Sequence, residues 1–231
     1  MYRERPAGFA RAVLWTSTTA AGAAPTRVLP DGCLDLLWSS RGGLLVAGPD
    51  RTAYLSGGGP AERWVGLRLP PGTGPAVFGV PAVELRDRRV PLGDLWPARD
   101  VARLAERAEA VPAAVLAEVA VARLRAAGGP DPLGARVAAA LSAGAGVAAT
   151  AAETGLDPRA LHRRCRHLFG YGPKTLARIL RMRRALALAR ADTPLAEVAA
   201  RCGFADQAHL TRDVRDLAGV PPTALLPPRP V

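Results

Sequence analysis

Lysine, cysteine and long apolar runs are scarce in this chain, and each scarcity narrows what it can be. Thirty-one basic residues include a single lysine, Lys174, so the positive charge is carried almost wholly by arginine. By itself that skew reads as a bias of composition. The three cysteines, Cys33, Cys165 and Cys202, are odd in number and far apart, which argues against a disulfide scaffold. No CxxC, HExxH or carboxylate-histidine cluster with ligand spacing occurs. No metal site, cofactor or catalytic residue is therefore expected. Apolar runs of about 18 residues are missing too, as is a basic-then-apolar leader after Met1, so neither a membrane span nor a secretory signal is indicated and a cytoplasmic location is expected.

What is present is positive charge, unevenly placed. The 231 residues carry a net charge of +11. Residues 1–131 hold 16 basic and 13 acidic side chains, whereas residues 132–231 hold 15 and 7, so the surplus belongs to the second part. Between Arg159 and Arg184 there are eight arginines and Lys174 with no Asp or Glu. Such a block repels itself unless solvent or a polyanion screens it, and a polyphosphate backbone is the polyanion that suits it.

The first part reads as short strands cut by Gly- and Pro-rich turns: Ala12 to Thr18, Leu34 to Ser39, Leu44 to Ala47, Ala53 to Ser56 and Trp64 to Leu69. That density of turns favours a small antiparallel β-barrel or sandwich. A helical pattern begins at Asp100 and a second runs from Pro112 to about Ala127, before the run AGGPDP stops it. The fold class expected is α+β, divided into an N-terminal domain over 1–96, a helical connector over 97–130 and an all-α domain over 131–231. Trp15, Trp38, Trp64 and Trp96 read as core residues rather than the lining of a ligand pocket. Cys33, in the turn Pro30-Asp31-Gly32-Cys33, reads as a buried inert thiol rather than a sensor nucleophile, because no histidine or second cysteine stands near it in sequence.

The second part holds two short helix-turn-helix patterns on either side of a long helical run. In the first, Asp157 is placed to cap a helix from Pro158 to Leu168 that buries Leu161, Cys165 and Leu168. Arg159, His162, Arg163 and Arg166 form its other face, while Arg164 and His167 are left to phosphate or solvent. Lys174 opens the long helix, about Pro173 to Ala191, along which Arg178, Arg181 and Arg184 recur every three residues. In the second pattern Gly203 makes the turn, Phe204 plugs the core, Asp206 is the candidate cap, and Leu210, Val214 and Leu217 point inward. Gln207, Ala208, His209, Thr211 and Arg212 are the outer candidates, with Asp213 and Asp216 directed away from phosphate. Arginine can donate twice to guanine, and glutamine matches adenine, so these faces suit base edges in a major groove.

The segments LHRRCRHLFGYGPKTLARILRMRRAL and LAEVAARCGFADQAHLTRDVRDLAGVPP resemble the AraC/XylS family of bacterial transcription regulators, in register over most of residues 132–225. The resemblance implies recognition helices at Pro158 to Leu168 and Ala205 to Leu217, with double-stranded DNA as partner. Two departures stand out: Cys165 occupies a place often taken by a large aromatic, and the support helix AGAGVAATAAET is small-sided. The front segments LPDGCLDLLW, LLVAGPD, VGLRLPPG and GVPAVELRDRRVPLGDLW resemble an uncharacterised cupin-like domain found on a subset of such regulators. That likeness implies a sensor or dimerisation role, leaving a small-molecule effector, a homodimer and contact with RNA polymerase open as partners. Two other readings compete: a DNA-alkylation responder acting through Cys33, and a nonspecific architectural DNA binder favoured by the basic surplus alone.

Overall fold

The computed structural model describes residues 2–226; Met1 and residues 227–231, the tail of the expected C-terminal domain, lie outside the described residues. Eight strands occupy the front half: β1 (Tyr2–Pro6), β2 (Val13–Thr19), β3 (Thr26–Val28), β4 (Leu34–Ser39), β5 (Gly43–Ala47), β6 (Tyr54–Ser56), β7 (Glu62–Leu69) and β8 (Arg89–Pro91). Six of them form one antiparallel sheet in the order β1-β2-β7-β4-β5-β8, and β3 with β6 makes a separate two-stranded ribbon. The register aligns Leu14 with Leu67, Leu67 with Leu36, Leu36 with Val46 and Val46 with Val90. All five are buried, so one apolar row crosses the sheet and locks the pairing, since a slip by one residue would turn each strand's apolar set to the other face.

That row is covered by α1 (Gly74–Phe78), α2 (Ala82–Leu85), α3 (Ala98–Ala110) and α4 (Pro112–Ala126). Val115, Leu116, Ala120 and Leu124 of α4 join the same core as the sheet, so the stretch expected to connect two domains is packed into the first. The tryptophans behave as core or half-buried residues. Trp38 and Trp96 are buried, and Trp96 Nε1 donates to Phe78 O at 3.1 Å. Trp15 lies flat across Gly66, where a Cβ would come within 2.1 Å of its ring, and its Nε1 donates to Asp35 Oδ2 at 2.9 Å. Three strands are absent from the sequence reading: β1 is exposed at all five residues and has no alternation, and β3 and β8 are only three residues each, too short to show a pattern.

The second half is helical: α5 (Pro132–Ala143), α6 (Val147–Thr154), α7 (Pro158–Phe169), α8 (Pro173–Arg190), α9 (Leu195–Arg201) and α10 (Gln207–Ala218). They share a second core in which α8 is central, contributing Leu176, Ile179, Leu180, Met182, Ala185 and Leu186. Sequence placed most of these boundaries. The exception is α10, which begins at Gln207 and not Ala205 because Asp206 is extended and serves as the N-cap. Cys165 and Cys202 are both buried in this core.

Candidate nucleic-acid interface

The first motif is α6 and α7. Gly155 ends α6 in the left-handed conformation (φ 70°), and Asp157 then accepts hydrogen bonds from the amides of Arg159 and Ala160, both at 2.8 Å. Those bonds fix the start of α7 and so the direction of its side chains. Leu161, Cys165, Leu168 and Phe169 are buried, while Arg159, His162, Arg163, Arg166 and His167 are exposed. His162 leans over Gly172, where a Cβ would sit 2.9 Å from Nε2, so its ring is propped against the start of α8. Lys174 is exposed in the first turn of α8. Arg164, expected to meet phosphate or solvent, is instead half-buried and ion-paired with Asp131, the N-cap of α5. It sits on the flank of α7 that faces α5, and Asp131 is the acid within its reach.

The second motif is α9 and α10. Asp206 accepts from the His209 amide at 2.6 Å, and Leu210, Val214, Leu217 and Ala218 turn inward. Gln207, Ala208 and Arg212 are exposed; His209 and Thr211 are half-buried. His209 is turned back on its own motif: Nδ1 accepts from the Ala205 amide at 3.3 Å, and its ring meets Phe204 edge-on at 5.3 Å.

The arginines of the acid-free block separate into two kinds. Arg178 Nε donates to Asp213 Oδ1 at 2.7 Å and Arg181 Nη2 to Asp213 Oδ2 at 2.9 Å, while the Arg181 guanidinium lies over Phe204 at 4.2 Å. Arg184 donates to Ser142 O at 3.0 Å and Cys202 O at 3.1 Å. These three cement the second motif and α5 to α8. Among the described residues Arg159, Arg163, Arg166, Lys174, Arg183 and Arg212 carry no ion pair with an acidic side chain, which leaves their charge for solvent or a polyanion. The cementing role escaped the sequence reading, although arginines three apart on α8 and Asp213 and Asp216 three apart on α10 were its visible trace.

Elsewhere the chemistry is quiet. A cleft of about 360 Å³ lies between the turn before α5 and the end of α7, lined in part by Gly72, Gly128, Asp131 and His167. A smaller space of about 40 Å³ is lined by Asp31, Cys33, Asp35, Asp50, Arg68 and Arg89. None of the four tryptophans lines either. Burial, reinforced by the carboxylates of Asp31 and Asp35, pushes the Cys33 thiol well above its usual range. A nucleophilic thiolate needs the opposite setting. Among the described residues no group of three or more His, Cys, Asp or Glu gathers as metal ligands would, and no helix is long and apolar enough to cross a membrane.

Two capped helix-turn-helix motifs on one rigid helix, each with an exposed polar face, meet a family model at this point. Residues 150–226 match a family described as a helix-turn-helix domain. This stretch, a third of the chain, is a helix-turn-helix domain. Ahead of it, residues 12–91 match a domain of unknown function, DUF6597. Among solved structures, a probable AraC family transcriptional regulator from Rhodopseudomonas palustris is 26% identical over 41% of this chain and 94% of its own, with a TM-score of 0.36. ToxT from Vibrio cholerae is 8% identical over 97% of both chains, with a TM-score of 0.48. A ToxT structure with unsaturated fatty acid bound is 9% identical over 93% of this chain and 94% of its own, at a TM-score of 0.47. No curated protein matches the chain significantly.

Proposed function

We propose that α7 and α10 are paired recognition helices that enter successive major grooves of double-stranded DNA, selecting sequence without any catalytic step. One observation carries the reading: both helices bury an apolar stripe in a common core, while their opposite faces present Arg159, His162, Arg163 and Arg166 on one and Gln207, Ala208 and Arg212 on the other. Bidentate arginine contacts would read guanine and Gln207 adenine, while the remaining arginines and Lys174 would hold phosphate. His209 and Thr211 contribute from the flank of α10. The spacing of adjacent major grooves, ~34 Å, is the demand this reading places on α8, the single continuous helix between the two motifs.

The division of labour follows the two cores. Residues up to α4 act as one sensor or dimerisation unit, with α3 and α4 part of it, and the boundary falls in the turn at Gly128 to Pro130. A small-molecule effector would act there by binding one orientation of the two units better than another. A homodimer formed through the same unit, and contact with RNA polymerase, are the other partners this reading carries.

Selection from random duplexes with the full chain tests the reading. An enriched site with two separated half-sites, bound far more tightly than random duplex across a salt series, is the expected result. Binding that follows salt alone, with no enriched sequence, would replace it with bulk phosphate attraction.

A further inference from the structure

The front unit touches both proposed recognition helices, and it does so at the same place on each. Gly170 ends α7 and Gly219 ends α10, both in the left-handed conformation. Arg86 Nη1 donates to Gly170 O at 3.1 Å, and Arg27 Nη1 donates to Ala218 O at 2.7 Å. Beside the second contact the Ala53 amide donates to Leu217 O at 2.7 Å. Terminal carbonyls of a helix lack partners within it and carry the negative end of its dipole, so a guanidinium is the apt group to hold them. The approach is close: a Cβ at Gly170 would fall 2.7 Å from Pro49 Cγ, and one at Gly219 would fall 3.0 Å from Arg27 Nη1.

The two grips belong to one body. Arg27 and Ala53 lie on or beside the β3–β6 ribbon, and Arg86 follows α2. Ribbon and sheet are tied together where the Arg89 guanidinium stacks on Tyr54 at 4.0 Å and pairs with Asp50 at 2.7 Å, and where Arg51 pairs with Asp87 at 2.6 Å. Meanwhile the N-terminal parts of α7 and α10, where Arg159, His162, Gln207 and Ala208 project, are left uncovered. We propose that Arg27 and Arg86 are positioning residues for DNA reading: a two-point clamp on the C-terminal ends of both recognition helices that holds them in the geometry the duplex requires. The inference rests on α7 and α10 being the readers. Because the grip is on the carbonyl ends and not on the reading faces, it orders the readers and does not mask them.

Linkage makes the clamp measurable from both sides, since whatever factor docking contributes to DNA affinity, DNA must return to docking. In the full-length chain carrying Arg27→Ala with Arg86→Ala, affinity for the selected duplex should fall about 5-fold or more. Its dependence on salt should stay unchanged, because no phosphate contact is lost. Amide exchange at Ala53 should quicken in the free variant, and Arg27→Lys, which keeps a donor for the carbonyl, should restore part of the affinity. In the unsubstituted chain, saturating selected duplex should slow Ala53 exchange by a similar factor, and random duplex should not. Unchanged affinity in the double variant overturns the clamp. So does Ala53 exchange that ignores the selected duplex, or a salt slope reduced by about one phosphate, which would make Arg27 a DNA contact. An unsubstituted chain that cannot tell selected from random duplex fails at the earlier step, the assignment of the readers, before any variant is made.

Discussion

Replacing Asp213 tests whether the second motif is held by charge as well as by packing. Its carboxylate is 6% exposed and receives Arg178 and Arg181 from α8, while Arg181 is pinned against Phe204. Removing one partner from a fully buried ion pair costs about 3–5 kcal/mol, because the other is stranded. Here the two arginine side chains are 42% and 26% exposed and can turn partly to water, which moves the cost toward the surface-pair range. About 2–3 kcal/mol is the expected loss for Asp213→Ala. The carboxylate of Asp216 is 68% exposed, so Asp216→Ala should cost below about 1 kcal/mol. The two cores can be followed separately, since all four tryptophans lie within the first 96 residues while α5 to α10 supply much of the helix. Urea unfolding by far-ultraviolet circular dichroism should show the loss for Asp213→Ala, and tryptophan fluorescence should move far less. The freed arginines should also raise affinity for random duplex and steepen its salt dependence. A loss below about 0.5 kcal/mol, or equal shifts by both probes, would refute the cementing role; the bland range for a surface change is within about 0.5 kcal/mol.

Leu210 is buried in the second core, so Leu210→Ala should cost about 2–5 kcal/mol in the same dichroism transition, and an unmoved transition would reject its inward placement. Asp35 gives a pH effect of definite sign. Burial pushes its carboxyl up to about 6 against the pull of Arg68, so the folded chain holds the proton more tightly than the unfolded one. Stability contributed at this site is therefore lost as pH rises from about 4 to 6 and stays lost above, by about 3 kcal/mol at most. In Asp35→Asn the fluorescence-detected midpoint should lose that fall, and identical pH profiles for both proteins would refute it. For the exposed Arg163 and Arg212, substitution by alanine should leave both unfolding transitions in place and weaken binding to the selected duplex by about 1–3 kcal/mol each if they read bases. Titration of the single variants against the selected duplex and its point-mutated forms checks this; equal affinity throughout would remove them from the interface.

Local pattern alone located both motifs, because caps, glycine turns and apolar spacing act over a few residues: Asp157, Gly155 and Asp206 do in the structure what their positions announce. The apolar strands were legible for the same reason, whereas β1, with every residue exposed, carries no alternation to read. What a linear pattern could not assign was the fate of each arginine. Arg163 and Arg164 are neighbours in sequence, yet the first faces solvent and the second pairs with Asp131, 33 residues earlier. Arg178 and Arg181 look like more of the same basic face until folding brings Asp213 to them. Charge and periodicity are properties of the chain, so sequence determined that two basic helix-turn-helix motifs follow a β-rich unit. Partnership depends on which distant groups packing brings within a few ångströms, so only the tertiary structure decided which cations are spent as cement, which grip the ends of α7 and α10, and which stay exposed without an acidic partner.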